Sequence, residues 1–480
     1  MVAALVVRFA RFDLAQVGYD ESAAASLVLD WRLTGAFPLT GIISSVGIPN
    51  PPAWPYLMAP VLLLWPNPTA LALEGAAVGV LSVVLTWWIG RRWLGPWAGL
   101  AAGAVYGFGF WSALLGRSPW QPAFLQLPAL LCLDALLMLG VTRRPNALVL
   151  AAAWLGVMVQ LHYIALVYAL LVIGVAVTRR DVLKPRHLVA AGLGLVLPLL
   201  PFLVYELHPS VRLHDVGFLV QQGGGSRVDL SAWELLWTLA GNGGAAGLGG
   251  ASFDGLRAAL GRWSSLGLLG DALRAGGLVV GLFEGSRGRI IAAWVLLPTV
   301  VLVRHTLDVL FHYLYIDLPG VALCSGMLVA WGVQRRHVAV RAAVGVATAG
   351  YAAVSIATLV VVLGFVETHD VYLGYGMPLR YSSAAAEPAR SAAPPGATIG
   401  IGGPRFQTEV LRFAIGYAIP ATRFEQCPSA REAADVYLLL DADSPAAAAL
   451  QRAGAPTLAR VARPGGAYAL LGRPTAAVAC

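Results

Sequence analysis

Between residues 69 and 366 the chain is a succession of long apolar runs separated by short polar breaks. The runs fall at about 69–90, 94–115, 120–141, 147–160, 163–178, 188–206, 266–284, 290–304, 314–333 and 338–366. A hydrocarbon core roughly 30 Å thick takes about twenty apolar residues of helix. Helices also satisfy their own backbone polar groups in lipid. Each run therefore reads as one crossing, about ten in all. The stretch 147–178 is too long for a single crossing and divides at "QLHY" (160–163), where Gln160 and His162 would be costly in lipid but comfortable at its surface.

The polar breaks alternate in character. "RR" 91–92, "TRRP" 142–145, "TRRDVLKPRH" 178–187, "GSRGR" 285–289 and "QRRH" 334–337 occupy every second connection. Arginine-rich loops stay cytoplasmic. "GRSPWQP" 116–122, "QLHY", the segment 207–265 and "RHTLDVLFHY" 304–313 are then expected outside, together with everything before residue 69 and after residue 366. "MVAALVV" offers seven apolar residues before Arg8, too few to span and too short for a signal peptide. We expect a first transmembrane helix upstream of Met1.

Helical spacing returns in the outer segments. In 229–240, Leu230, Trp233, Leu236, Trp237 and Ala240 share a face, as in a helix lying at the interface. Residues 22–34 show a weaker version, and "GNGGAAGLGG" 241–250 reads as a mobile loop. The prolines of "GIPNPPAWPYLMAP" 47–60 argue for extended chain there. Beyond residue 366, 397–403 and 434–443 read as strands, 408–418 and 445–454 as helices, and 457–473 as a hairpin turning at Pro464-Gly465-Gly466. The expected architecture is an all-α polytopic membrane domain, residues 1–366 with outer loops 1–68 and 207–265, followed by a small extracytoplasmic α/β domain, 367–480.

Composition agrees. The chain is 58% hydrophobic and 12% charged, against about 25% charged for a soluble domain. The net charge of +8 sits in the short loops, where it sets orientation and does not mark a nucleic-acid binder. Cys132 and Cys324 lie inside apolar runs as packing residues, while Cys427 and Cys480 could pair in an extracytoplasmic tail.

Chemistry must come from the few polar residues that face outward. Asp20 and Glu21 stand side by side in "QVGYDES" at the head of a helix. A carboxylate held there could serve as a general base toward an acceptor hydroxyl or amine. Equally, Asp20 could cap a helix starting near Ser22, with Glu21 favoured by the helix dipole. The proline segment could hold Asn50 beside the pair. Arg117, His162, Arg304, His305 and His312 supply outward cations, of which arginine suits phosphate, although snorkelling explains each arginine alone. The histidines lack a metal-ligand spacing, which leaves the metal unknown and a divalent cation open. Of the ionisable residues in or near runs, Asp271 and Arg274 are spaced to pair on one helix face, Asp134 lies toward the cytoplasm, and Asp317 is the better site candidate.

"YDES" 19–22, "NPPAWPYLMAP" 50–60, "GRSPWQP" 116–122, "QLHYIAL" 160–166 and "HYLYIDLPGVAL" 312–323 follow one another as in a known group. The chain resembles the GT-C superfamily of membrane glycosyltransferases, particularly the aminoarabinose transferase and protein mannosyltransferase group and the RgtA/B/C/D-like relatives. The resemblance implies a multi-pass plasma-membrane enzyme that takes a sugar from a polyprenyl-phosphate donor and passes it to a lipid, glycan or protein acceptor outside. It implies Asp20 as catalytic base with Glu21 beside it. Asn50, Arg117, His162, Arg304, His305, His312, Tyr313 and Asp317 are the residues we would place around the substrates. The rival reading is a translocator of lipid-linked sugars, which usually betrays inverted repeats and helices broken at midplane; no repeat is evident here.

Overall fold

The computed structural model describes residues 2–44, 47–211, 213–215, 217, 227–428 and 433–478 (for Ser264, the backbone only). Helix α1 (Val2–Phe9) leads through a 3-10 turn to α2 (Tyr19–Thr34). Then come α3 (Ala53–Leu64), α4 (Pro68–Leu94), α5 (Pro96–Phe108), α6 (Phe110–Leu115), α7 (Gln121–Thr142), α8 (Ala147–Leu161), α9 (Tyr168–Thr178) and α10 (Pro185–Glu206). A two-residue strand β1 (Arg227–Val228) precedes α11 (Ser231–Ala240), α12 (Phe253–Leu260), α13 (Leu268–Phe283) and α14 (Gly285–Val301). Strand β2 (Arg304–His305) pairs back on β1, and α15 (Leu318–Val333) and α16 (Val338–Thr368) complete the bundle.

Helix occupies all ten predicted runs. Six helices are long and apolar enough to cross a membrane: Pro68–Leu94, Gln121–Thr142, Pro185–Glu206, Ser265–Phe283, Phe311–Val333 and Val338–Thr368. The run 94–115 is not one helix. It breaks at Gly109, which is extended (φ −54, ψ 134) and sits so tightly that a Cβ there would lie 2.7 Å from the Val105 carbonyl oxygen. The proline segment also departs from expectation. It is helical from Ala53, because Pro52 is the N-cap and Pro55 falls in the first turn, where no backbone N–H is required. Only Pro60 removes an internal hydrogen bond.

The two classes of connection gather at opposite ends of the bundle. At one end Arg92 bonds Asp134 at 2.9 Å, Arg143 pairs with Asp181, Arg179 reaches Ser286 at 3.3 Å, and Arg287 reaches the Trp93 carbonyl at 3.2 Å. Three of the five basic clusters thus touch one another, and the last of these reaches Trp93, the residue after the 91–92 pair. At the other end the loop 116–122 meets α2, and His162 meets His312 and Tyr313. An alternating sequence pattern has become two separated surfaces.

The C-terminal part is a five-stranded sheet in the order β4-β3-β5-β7-β6. Its strands are β3 (Ile399–Gly402), β4 (Ala421–Phe424), β5 (Val436–Leu439), β6 (Thr457–Arg463) and β7 (Gly466–Gly472). β3 runs parallel to β4 and β5, and β7 pairs antiparallel with β5 and β6. Helices α17 (Leu379–Ala392), α18 (Arg405–Ile415) and α19 (Pro445–Arg452) pack on it. The predicted strands, helices and hairpin lie where expected; β4 and α17 are additions. Cys132 and Cys324 are free and buried, Cys427 is disulfide-bonded, and Cys480 lies outside the described residues. The segment 241–250, expected as a mobile loop, is partly ordered: Ala245–Ser252 forms 3-10 turns interrupted at Gly250 (φ 53), where a Cβ would lie 2.6 Å from the Gly374 backbone nitrogen.

Candidate active site

The cap of α2 assigns the two acids different tasks. Gly18 is the N-cap, so the helix starts at Tyr19 and Asp20 is not the capping residue. Glu21, at the third helical position, turns back to accept the Gly18 N–H at 2.9 Å, the carboxylate half of a capping box. Its other oxygen accepts from the Ser118 hydroxyl at 3.1 Å, and the residue is only 3% exposed. Burial first, then the neighbouring Asp20 charge, pushes the Glu21 carboxyl from 4.5 up to about 7. Asp20 is half-buried and faces the aromatic side, where the Trp120 indole N–H donates to its Oδ2 at 3.2 Å. Burial raises the Asp20 carboxyl and the indole bond opposes that rise. Glu21 is thus the buried member that holds its proton longer, and Asp20 the member that ionises first.

Ser118 and Trp120 come from the loop 116–120, which is fixed from both sides. Gly75 on α4 lets it approach, since a Cβ there would stand 2.7 Å from the Ser118 backbone. The Trp54 indole on α3 donates to the Pro119 carbonyl at 3.1 Å. Beyond Trp120 lies an aromatic wall. Its ring centroid is 5.3 Å from His312, 5.9 Å from Tyr315 and 6.4 Å from Phe311. His312 lies 4.7 Å from Tyr313 and 5.6 Å from His162. Gln126 on α7 holds the 3-10 turn that carries these rings, donating to the Tyr315 carbonyl at 3.0 Å.

Asp20, Glu21, His162, His312 and Tyr313 therefore come together. Other predicted residues do not join them. Arg117 is 1% exposed, and its guanidinium donates to the carbonyls of Val7, Ala10 and Arg11. It closes the C-terminal end of α1 and presents no face to a phosphate. Asp317 is fully buried instead of lying near the surface, with one oxygen accepting the Tyr168 hydroxyl at 2.5 Å. Asn50 braces its own loop through the Ile42 carbonyl at 3.2 Å. His305 is buried on β2, with Nδ1 2.9 Å from the Leu302 carbonyl and Nε2 3.5 Å from Asp229, whereas Arg304 is exposed on the same strand. Trp120, Ser118, Phe311 and Tyr315 are the site residues that the residue-by-residue reading passed over. Trp120 and Ser118 lie in the same loop as Arg117, whose charge is the stronger local signal. Arg274 pairs with Asp271 at 3.3 Å as their spacing suggested, and its guanidinium also lies 3.6 Å from the Trp237 ring centre. Among the described residues no group of three or more His, Cys, Asp or Glu side chains gathers where it could hold a metal ion.

No protein-family model matches the chain, and no curated protein matches it by sequence. Structure is more informative. The crystal structure of ArnT from Cupriavidus metallidurans bound to undecaprenyl phosphate superposes with a TM-score of 0.61, over 98% of this chain and 96% of that one, at 16% identity. The fold is that of ArnT. The apo state of ArnT gives the same score over 99% of this chain and 97% of its own, at 14% identity. The likeness runs through bundle and C-terminal sheet alike, and ArnT is an aminoarabinose transferase of the GT-C superfamily, so the expected resemblance is met at the level of fold. A looser likeness, to the archaeal oligosaccharyltransferase AglB from Archaeoglobus fulgidus, covers 86% of this chain and 63% of that one at a TM-score of 0.46 and 12% identity, below what establishes a shared fold.

Proposed function

We propose that the chain is an integral-membrane glycosyltransferase of the plasma membrane that passes a sugar from a polyprenyl-phosphate-linked donor to an acceptor on the extracytoplasmic face. The reading rests on one observation above the rest: a half-buried carboxylate, Asp20, oriented by an indole N–H and bordered by an aromatic wall, in a fold shared with a protein solved with undecaprenyl phosphate bound. Arginine-rich loops stay in the cytoplasm, so the opposite end, with Asp20 and the C-terminal sheet, faces outward. A lipid-linked donor cannot leave the bilayer, and the site must open to both headgroups and outer water.

In the proposed reaction Asp20 accepts the proton of the acceptor O–H or N–H. The acceptor atom bonds to the anomeric carbon from the face opposite the phosphate, the carbon–oxygen bond to phosphate breaks, and polyprenyl phosphate departs with configuration inverted. Trp120 and His312, with Tyr315 buried behind them, offer ring faces to the sugar, and an aromatic face favours the positive character that develops at the anomeric carbon. Arg304 is the candidate cation for the leaving phosphate. Glu21 is a positioning residue: its bond to the Gly18 N–H fixes the turn that aims Asp20.

The test is Asp20→Asn, which keeps size and the indole contact but removes the base. Lipids, glycans and secreted proteins from cells lacking the gene, expressing the wild type or expressing Asp20→Asn are compared by mass spectrometry. The variant should insert normally and leave the same product missing as the deletion. A product restored to the wild-type level by Asp20→Asn would refute the assignment.

A further inference from the structure

A shallow, open cleft of about 40 Å³ lies where the end of α16 meets the C-terminal sheet. We infer that this cleft binds a neutral saccharide portion of the acceptor, an inference that rests on the glycosyltransferase reading and names the acceptor's chemistry.

Two tyrosines, Tyr372 and Tyr381, contribute ring surface to the cleft above the buried Tyr468, and His369, Asp370, Gln407 and Arg463 contribute polar groups. Asp370 and Arg463 stand 3.7 Å apart, too far for a good hydrogen bond but close enough to cancel each other's charge. An anion or a cation would find no net attraction there. A polyol would, because a carboxylate accepts from hydroxyls while a guanidinium donates to them. The unused capacity points the same way. Arg463 donates through Nε to Leu440 and through Nη1 to Pro464, which leaves Nη2 without a hydrogen-bond partner among the described residues. The Gln407 amide and the Tyr372 hydroxyl likewise have no partner among the described residues. Open donors and acceptors set between aromatic rings suit a sugar's alternating hydroxyl and C–H faces.

The cleft is also joined to the acid pair. Phe406, next to Gln407, meets the Tyr19 ring edge-on at 4.8 Å, and Tyr19 is next to Asp20. Along a second path, a Cβ on Gly376 in the cleft wall would lie 3.4 Å from the Gln16 amide nitrogen, and one on Gly18, the cap of α2, 3.9 Å from the same atom. Packed side chains thus link the wall of the cleft to the turn that carries Asp20. The hairpin wall depends on Gly465 (φ 75), since a Cβ there would stand 2.8 Å from the Asp370 Cβ.

The experiment uses the full chain in lipid nanodiscs and saturation-transfer NMR, with maltotriose, cellotriose, mannotriose and chitotriose as probes and sorbitol as control. At least one trisaccharide should bind more tightly than sorbitol. Tyr372→Ala and Gln407→Ala should each weaken it at least about fivefold, the loss expected for one ring or hydrogen-bond contact, and Asp20→Asn should leave it unchanged. Tyr372→Phe, which removes only the hydroxyl, covers the case in which an alanine variant unfolds and should weaken binding about two- to threefold. Binding no better than sorbitol, or binding indifferent to these variants, overturns the inference. If the trisaccharide binds but Asp20→Asn keeps its product, the transferase reading fails alone; if nothing binds but Asp20→Asn loses its product, only the cleft assignment fails.

Discussion

Replacing Glu21 by Gln isolates the electrostatic cost of the acid pair without substrate. The carboxyl is 3% exposed and lies beside Asp20, and these circumstances lift it from 4.5 to about 7. At about 1.4 kcal/mol per pH unit, that is about 3 kcal/mol of penalty on the ionised form. The sign follows from proton counting. Between the two values the folded state keeps a proton that the unfolded state has lost, so folding stability falls as pH rises from about 4.5 to about 7 and stays low above. Gln is uncharged throughout and can still accept the Gly18 N–H, while the Ser118 hydroxyl can rotate to meet its amide. Thermal unfolding of wild type and Glu21→Gln in detergent, scanned from pH 5 to pH 8, should give curves that diverge with rising pH. The variant should be the more stable at pH 8 by up to about 3 kcal/mol. Subtracting the curves removes the titrating groups that do not interact with Glu21. Parallel curves, or a variant that loses stability at pH 8, would refute the claim that Glu21 is buried against a like charge.

Trp120→Phe keeps a ring against His312 and Tyr315 but removes the indole bond that holds Asp20 down. The acid limb of sugar transfer should therefore move to higher pH by about one unit, the lower end for a charged hydrogen bond given its 3.2 Å length; a pH–rate profile reads it, and an unmoved limb counts against Asp20 as base. Arg117→Met should orphan three carbonyls at the end of α1 and destabilise the protein by about 3 kcal/mol in the same thermal assay. The KM for donor should stay unchanged; a raised KM with normal stability would restore Arg117 as a phosphate ligand. For orientation, exposed Ala36 and Thr142 at opposite ends are each replaced by Cys. An impermeant maleimide should label position 36 on intact cells and position 142 only after permeabilisation, with Cys132 and Cys324 buried and Cys427 bonded. The reverse pattern would place the acid pair in the cytoplasm and end the proposal.

The membrane architecture was legible because lipid imposes it through composition: a run of apolar residues can do little but form a helix there. The break at Gly109 was not, since it depends on the close approach of Tyr351, whose hydroxyl would lie 3.0 Å from a Cβ at that position. Prolines misled in 47–60 because their effect depends on register: Pro55 falls in the first turn, where no N–H is required, and α3 runs on through Pro60 at the loss of one internal hydrogen bond. Charge misled at the site. Arg117 and Asp317 stood out as ionisable residues in an apolar chain, yet both are spent on buried structural bonds. The neutral Trp120 and Ser118 contact the acids directly, and nothing in their local sequence says which loop will fold over α2. Long-range contacts of this kind are invisible to periodicity.

Helix geometry also explains why the two acids are adjacent. Successive residues in an α-helix point about 100° apart, so neighbours at the start of α2 cannot share one environment. Glu21 turns inward to the cap and Ser118, and Asp20 turns toward Trp120 and the aromatic wall. Each needs the other. Without the Glu21 bond to the Gly18 N–H, the first turn that aims Asp20 would lose its anchor. Without the charge on Asp20, Glu21 would give up its proton at lower pH. Burial and the neighbouring charge push Glu21 up to about 7, while burial raises Asp20 against the opposing indole bond, so the two neighbours do not titrate alike. If Asp20 is the base we propose, a single acid at position 20 would have to anchor the turn and receive a proton with the same oxygens; dividing those tasks between neighbours leaves Asp20 available while its position is fixed.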